Sequence, residues 1–344
     1  MHAGTLNATA RNISLDEKVA FLARRDAYAH APASIEKIQT HMSWVFLADG
    51  YAYKLKKPVH YEFLDFSSVE ARRLNCEREL ELNRRLAGNV YQEVVPLVLR
   101  ADGRLQLGGD GEAVDSLVKM RRLPAHKLLD AAIRGGTVGA EELARLAELL
   151  IDFYRHAAAA QLSPAAYRQR FARGIHANQR GLKAPYAGLD EELIDHLTRA
   201  QHDFVARHGE LLEARAREAR IVDAHGDLRP EHVCLEPAPV VIDCLEFNRE
   251  FRLLDPVDEL AYFAMECGQL GGAEVGAYVL RRYGDAAADH PPPALVSFYK
   301  AFRACLRARL AIWHLADDGV VNTGKWRQRA REYLGAAASY VAHW

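Results

Sequence analysis

The sequence predicts an α+β chain in two lobes, a β-rich first part with one long helix and a helical second part. Three observations predict it. Strand-like runs joined by Asp-Gly turns crowd the stretch before Met120, helical periodicity takes over after Pro124, and 344 residues suffice for two lobes around a cleft. The expected parts are a helical extension over 1–36, a first lobe over 37–122 and a second lobe over 123–344.

The elements follow in order. Ser14-Leu15-Asp16-Glu17 reads as a capping box, whose hydroxyl and carboxylate each satisfy a free backbone N–H, and a helix to about Arg25 follows. The run 41–47 reads as a strand, Asp49-Gly50 as a hairpin turn and 51–56 as the returning strand. Ser67-Ser68-Val69-Glu70 reads as a second capping box, opening a helix that runs to about Leu86. The runs 94–100 and 105–107 read as strands around Asp102-Gly103, and 113–120 as a further strand leading into a connector. Beyond Pro124, Leu143, Leu146, Ala147, Leu150, Ile151 and Tyr154 keep helical spacing, and 191–218 is a long charged helical stretch. One strand island, 233–235 and 240–243, interrupts before helix resumes at Asp255.

With 49% hydrophobic and 26% charged residues this is ordinary globular protein, and a net charge of -1 leaves no whole-chain footprint for nucleic acid. Cys76, Cys234, Cys244, Cys267 and Cys305 are odd in number and form no C-x-x-C pair, so they read as small buried residues. Met1-His2-Ala3-Gly4-Thr5 lacks the basic-then-apolar pattern of a leader, and no run approaches the ~20 apolar residues of a membrane span. The expected setting is a reducing cytoplasm, with neither membrane nor nucleic acid as a partner.

The chemistry concentrates in His225-Gly226-Asp227-Leu228-Arg229-Pro230-Glu231-His232, followed by Val241-Ile242-Asp243. An apolar hairpin thus delivers a second aspartate 16 positions after the first (243 against 227). This string resembles the H-G-D-x-x-x-x-N of aminoglycoside and choline kinases, and is similar to the H-R-D-L-K-P-E-N loop of protein kinases. Thr40-His41-Met42-Ser43-Trp44, Tyr53-Lys54-Leu55-Lys56-Lys57-Pro58, Phe63-Leu64-Asp65-Phe66, Cys76-Glu77-Arg78-Glu79 and Asp243-Cys244-Leu245-Glu246-Phe247-Asn248 extend the likeness. Together they look like an aminoglycoside-phosphotransferase-like bacterial family of unassigned acceptor. The resemblance implies a two-lobed protein-kinase-like fold and transfer of the γ-phosphate of ATP, or GTP, to the hydroxyl of a small acceptor.

Phosphoryl transfer needs in-line positioning and charge neutralisation more than covalent work. By resemblance, Asp227 orients the acceptor hydroxyl and takes its proton. Asp243 would hold Mg²⁺, a hard cation that prefers oxygen. Lys54 would reach the phosphates, with Lys56 as the alternative on the same strand face and Lys57 pointing away into solvent. Glu79 would hold that lysine, with Glu77 and Glu81 as alternatives, or it is an ordinary solvent-facing residue. Backbone around Met120 and Arg122 would meet adenine, and Ser43 is grouped with these nucleotide residues. Arg229 would touch the transferring phosphate or be solvated, and the His225 ring would fix the loop. Asp255 and Glu259 would brace that loop, although an N-cap role explains Asp255 equally.

His232 departs from the pattern, standing where the family has a metal-binding asparagine. It ligates a metal by nitrogen, which suits Mn²⁺ or Zn²⁺ better than Mg²⁺, hydrogen-bonds the aspartate or a metal-bound water, or marks a site without turnover. No G-x-G-x-x-G precedes Lys54, no A-P-E follows, and only 12 positions separate Asp243 from Asp255, which favours a small acceptor over a protein. Arg303 and Arg307 share a helix face, read as solvated, with anion holding as the alternative. The other readings are a pseudokinase or regulatory nucleotide-binding module, and phosphorylation or nucleotidylation of a protein. A metallophosphohydrolase lacks its H-E-x-x-H and G-N-H motifs.

Overall fold

Ser14 opens α1 (Leu15–Leu22): its hydroxyl accepts from the Glu17 N–H at 3.2 Å, and Glu17 accepts from the Ser14 N–H at 2.9 Å. The capping box forms as predicted, but the helix stops at Leu22 and a short 3₁₀ turn over Arg25–Ala27 follows. The computed structural model describes residues 13–316 and 323–344, so the opening pentapeptide that argued against a leader lies outside the described residues. Two compact units emerge, 1–124 with 242–248, and 125–241 with 249–344.

The first unit is built on β1 (Ile35–Gln39), β2 (Ser43–Ala48), β3 (Tyr51–Lys56), the small hairpin β4 (His60–Tyr61) and β5 (Leu64–Asp65), α2 (Val69–Ala87), β6 (Tyr91–Leu99), β7 (Leu105–Leu107) and β8 (Glu112–Arg121). Six strands form one antiparallel sheet in the order β1-β2-β3-β8-β6-β7. Leu22, Phe46, Leu55, Leu97 and Leu117 are fully buried in its core, each contributing about 1.5–3 kcal/mol. Asp115 on β8 pins both helices to the sheet: Arg72 of α2 donates to it at 2.9 Å and Lys18 of α1 at 2.8 Å, all three buried.

Sequence reasoning missed β1, most of which faces solvent and shows no apolar alternation, and β4 and β5, too short to carry a period. It also set the second cap one residue early. Ser68, not Ser67, accepts from the Ala71 N–H at 3.0 Å, while Glu70 is drawn to Arg73 at 2.7 Å.

The second unit holds α3 (Leu129–Arg134), α4 (Ala140–His156), α5 (Pro164–Leu182), α6 (Glu191–Arg217), β9 (Val222–Asp223), β10 (Val233–Cys234), β11 (Val240–Val241), β12 (Leu253–Leu254), α7 (Pro256–Gln269), α8 (Ala273–Ala287), α9 (Pro293–Trp313) and α10 (Thr323–Val341). β10 pairs with β11 and β9 with β12, both antiparallel. α7 is buried from Pro256 to Cys267, and Gly276 lets α8 approach it: a Cβ there would lie 2.3 Å from the Ala264 Cα. Met265, Ala304, Ala308 and Leu334 share the core beyond.

Burial here brings its own ion pairs. Arg215 joins Asp255 and Asp289 at 2.6 Å each, Arg303 meets Asp258 at 2.6 Å, and Arg307 meets Glu266 at 2.9 Å. The solvated reading of the α9 arginines is therefore overturned, because α7 presents a carboxylate to each. All five cysteines are buried, and none forms a disulfide among the described residues. Among the described residues no helix is long and apolar enough to cross a membrane.

Candidate active site

In the first unit, strand alternation turns Lys54 and Lys56 of β3 to one face, and helix α2 brings Glu79 to both. Glu79 has no exposed surface; it lies 2.9 Å from the Lys54 Nζ and pairs with Lys56 as well. Lys54 also reaches Asp243 at 2.7 Å, and Lys56 reaches Glu246. Glu77 and Glu81 stay at the surface with Arg73 and Arg78. Lys57 donates to the Thr40 carbonyl instead of hanging in solvent. Two ammonium groups thus face three carboxylates. Burial alone would lower the Lys54 pKa, but Asp243, Glu79 and Glu246 outweigh it and hold the lysine well above its usual range. Burial pushes Glu79 up, and the two lysines pull it below the ordinary carboxylate value.

Asp243 follows β11 with a φ of 63°, a left-handed conformation that costs a non-glycine residue about 1–2 kcal/mol. Its neighbours hold it there. The Asp243 N–H donates to the Tyr91 hydroxyl at 3.1 Å, and the Cys244 N–H to the Asn83 side-chain oxygen at 2.9 Å. Asn83 in turn donates to the Glu79 carbonyl at 2.9 Å, so one turn of α2 supports both the lysine partner and the aspartate. Sequence reasoning missed Tyr91 and Asn83; the i, i+4 spacing of Asn83 from Glu79 was the available signal.

The Asp243 side chain is 45% exposed and offers a hard oxygen donor that fits Mg²⁺. Among the described residues no three His, Cys, Asp or Glu side chains gather to hold a metal, so phosphate oxygens and water would complete its shell.

Of the remaining nucleotide candidates, Ser43 and Met120 lie in the same sheet and Arg122 follows the end of β8. Ser43 is buried, donates its N–H to Thr40 Oγ1 at 3.0 Å and pairs across β2–β3 with Lys56. Met120 sits opposite Ala52 and Tyr91. The N–H groups of Arg121 and Arg122 donate to the Val90 and Gly50 carbonyls at 2.9 and 2.8 Å, and the Arg122 side chain meets Glu36 at 3.3 Å.

In the second unit, the loop 225–232 hangs on α7. Glu259 accepts from the His225 N–H at 3.1 Å, from the Gly226 N–H, and from the Tyr154 hydroxyl at 2.8 Å. Gly226 has a φ of 91°, which explains the glycine of the motif. Asp255 instead caps α7 and takes the Arg215 fork. The Asp227 carboxylate accepts from the Tyr262 hydroxyl at 2.9 Å and from Arg229 Nε at 3.1 Å. Burial pushes its pKa up, but Arg229, His232, Arg307 and Tyr262 outweigh that and bring it down to about 2. Tyr262, three residues after Glu259 on the same helix face, was legible only by that spacing.

His225 is fully buried, and its Nδ1 accepts from the Asp227 N–H at 3.3 Å. The His232 ring is fixed at both nitrogens. Its Nδ1 lies 2.8 Å from the Asp227 carbonyl, which can only accept, and its Nε2 lies 3.0 Å from Arg229 Nη2, which can only donate. When the ring is neutral, these partners select the tautomer with the proton on Nδ1, whose Nε2 lone pair Arg229 engages.

No family model matches the chain. Uncharacterized proteins of Mycobacterium tuberculosis (strain H37Rv) and Mycobacterium bovis are each 33% identical over 282 residues, 80% of this chain and 54% of theirs. The chain thus spans about half the length of the curated relatives it matches. The solved choline kinase LicA from Streptococcus pneumoniae aligns with a TM-score of 0.51 at 13% identity, over 93% of this chain and 97% of its own. LicA in complex with AMP gives 0.50 at 14%, over 95% and 100%. A thermostable mutant of aminoglycoside phosphotransferase APH(4)-Ia gives 0.51 at 12%, over 89% and 95%. Identities this low speak to architecture alone, and on that ground the chain has the kinase-like fold of choline kinases and aminoglycoside phosphotransferases.

Proposed function

We propose that this chain is an ATP-dependent phosphotransferase that moves the γ-phosphate of ATP, or GTP, to a hydroxyl of a small-molecule acceptor. The carrying observation is Lys54, joined at once to Glu79 at 2.9 Å and to Asp243 at 2.7 Å. A cation at a carboxylate that can hold Mg²⁺ is what the triphosphate requires. The fold likeness and the complex of LicA with AMP support a nucleotide ligand, which would lie in the first unit with Ser43 and the backbone near Met120 and Arg122 around it. When bound at Asp243, Mg²⁺ neutralises phosphate oxygens. The second unit would take the acceptor.

In the reaction, the acceptor oxygen bonds to the γ-phosphorus and the bond from that phosphorus to the β–γ bridging oxygen breaks. ADP leaves with the electron pair, and the hydroxyl proton passes to Asp227. With a pKa of about 2, Asp227 is ionised at neutral pH and accepts a hydrogen bond from the acceptor; it orients the hydroxyl more than it deprotonates it. Arg229 is set to meet the transferring phosphate, and the His225 ring holds the loop backbone.

His232 favours a second reading, a nucleotide-binding module without turnover. It gives the metal-asparagine position no oxygen donor, and its nitrogens are engaged. ADP release over a panel of hydroxyl acceptors separates the two. Turnover in the wild type that falls at least about 10²-fold in Asp227→Asn, with ATP binding retained, supports the enzyme. ATP binding with no turnover on any acceptor selects the module, and a fully active Asp227→Asn variant sinks the role given to Asp227.

A further inference from the structure

We propose that the acceptor is a small anionic alcohol, bearing a carboxylate or a phosphate, that seats in an arginine-lined cavity of the second unit. The proposal deepens the phosphotransferase reading and rests on it. The cavity measures about 210 Å³ and is lined by Arg229, Glu231, Arg307, His314, Trp326 and Arg329, with Leu310 and Ala311. That is below the ~300–1,000 Å³ of drug-sized sites, which suits a compact acceptor or the charged end of a larger one. Arg229 places the cavity beside the reacting carboxylate, since the same guanidinium donates to Asp227 and lines the wall.

Three guanidiniums and one carboxylate form the lining, and their partners decide what is left for a ligand. Arg229 is engaged by Asp227 and Glu231. Arg307 is ion-paired with Glu266, its Nε 2.9 Å from the carboxylate, and lies over the Tyr333 ring. Arg329 lies over the same ring and touches the Tyr333 hydroxyl at 3.4 Å, with no carboxylate within ion-pair distance among the described residues. His314 and Trp326 stack with ring centroids 3.8 Å apart as an aromatic wall. The cavity is therefore rich in forked donors and poor in acceptors. A carboxylate or phosphate meets that fork geometry, whereas a cationic acceptor meets like charge.

The test uses four alcohols that differ in charge: D-glycerate, glycerol 3-phosphate, glycerol and choline. Equilibrium binding to the full chain is measured by calorimetry, and ADP release with ATP and Mg²⁺ in parallel. The proteins are wild type, Arg329→Gln, Arg307→Lys, which keeps a charge on Glu266, and Arg331→Gln as a control on the same helix. At least one anionic probe should bind tenfold or more tighter than glycerol and choline. Arg329→Gln and Arg307→Lys should each weaken it at least fivefold, and Arg331→Gln less than twofold. Preference between D-glycerate and glycerol 3-phosphate identifies the head group. Binding of glycerol or choline as tight as the anions, or anion binding untouched by both cavity variants, overturns the proposal. ADP release with a neutral or cationic acceptor alone overturns it while keeping the phosphotransferase reading. Anion binding lost in Arg329→Gln, without ATP binding in any protein, keeps the anion site and overturns the phosphotransferase reading.

Discussion

Replacing Glu79 by Gln removes the carboxylate shared by Lys54 and Lys56. At 2.9 Å and an effective dielectric near 20, each unit pair is worth about 6 kcal/mol of gross attraction. Desolvation offsets most of it, and breaking a buried pair costs about 3–5 kcal/mol net. Asp243 also opposes Glu79 across the cluster, and losing one of three carboxylates brings the charges into balance with two lysines. The expected cost is therefore the low end, about 3 kcal/mol. Glu77→Gln is the control. Its i, i+4 pair with Arg73 is half exposed, and its loss should leave the midpoint almost unchanged. Urea unfolding of both variants reads the difference from the midpoints at unchanged slope. If Glu79→Gln fell within 1 kcal/mol of Glu77→Gln, the buried network would not be what holds Lys54, and the reasoning about the cluster would fail.

Two further outcomes follow from the second unit. Asp227 has its pKa depressed from 3.8 to about 2 in the fold, so its stabilisation is fully present above about pH 4 and is lost as pH falls through 2. Its size is about 2 kcal/mol at 1.36 kcal/mol per unit. Tyr262→Phe removes one donor, so that loss should begin at higher pH in urea unfolding between pH 5 and 2.5; curves parallel to wild type would count against the assignment. Gly276→Ala forces a Cβ onto the Ala264 backbone and should cost about 1–3 kcal/mol. It should also slow ADP release through α7, which carries Glu259 and Tyr262; a neutral substitution would mean that α8 can withdraw freely.

Much of this arrangement was legible in the sequence, and the reasons are local. Ser14 and Glu17 announce α1, Asp49-Gly50 turns the β2–β3 hairpin, and apolar spacing gives α4. The resemblance paired Lys54, or Lys56 on the same strand face, with Glu79, although not that both lysines share that one carboxylate. What stayed hidden depends on partners distant in sequence. Tyr91 and Asn83 become supports of Asp243 and Cys244 only when β6 and α2 come together with a segment about 150 residues away. Arg303 and Arg307 look solvated until α7 sets Asp258 and Glu266 against them. β1 shows no period because the sheet leaves most of its residues in water.

Thermal unfolding with and without ATP, in Mg²⁺, Mn²⁺ or EDTA, for wild type and Asp243→Asn, tests whether the chain binds a metal-linked nucleotide at Asp243. A ligand at a hundred times its Kd stabilises the native state by about 2.7 kcal/mol, so binding must raise the Tm. The expected rise with ATP and Mg²⁺ is at least as large as with Mn²⁺, because the His232 lone pair is already engaged by Arg229. EDTA and Asp243→Asn should each abolish most of that rise. No shift with any nucleotide or metal would contradict such binding and leave a kinase-shaped fold without a nucleotide site.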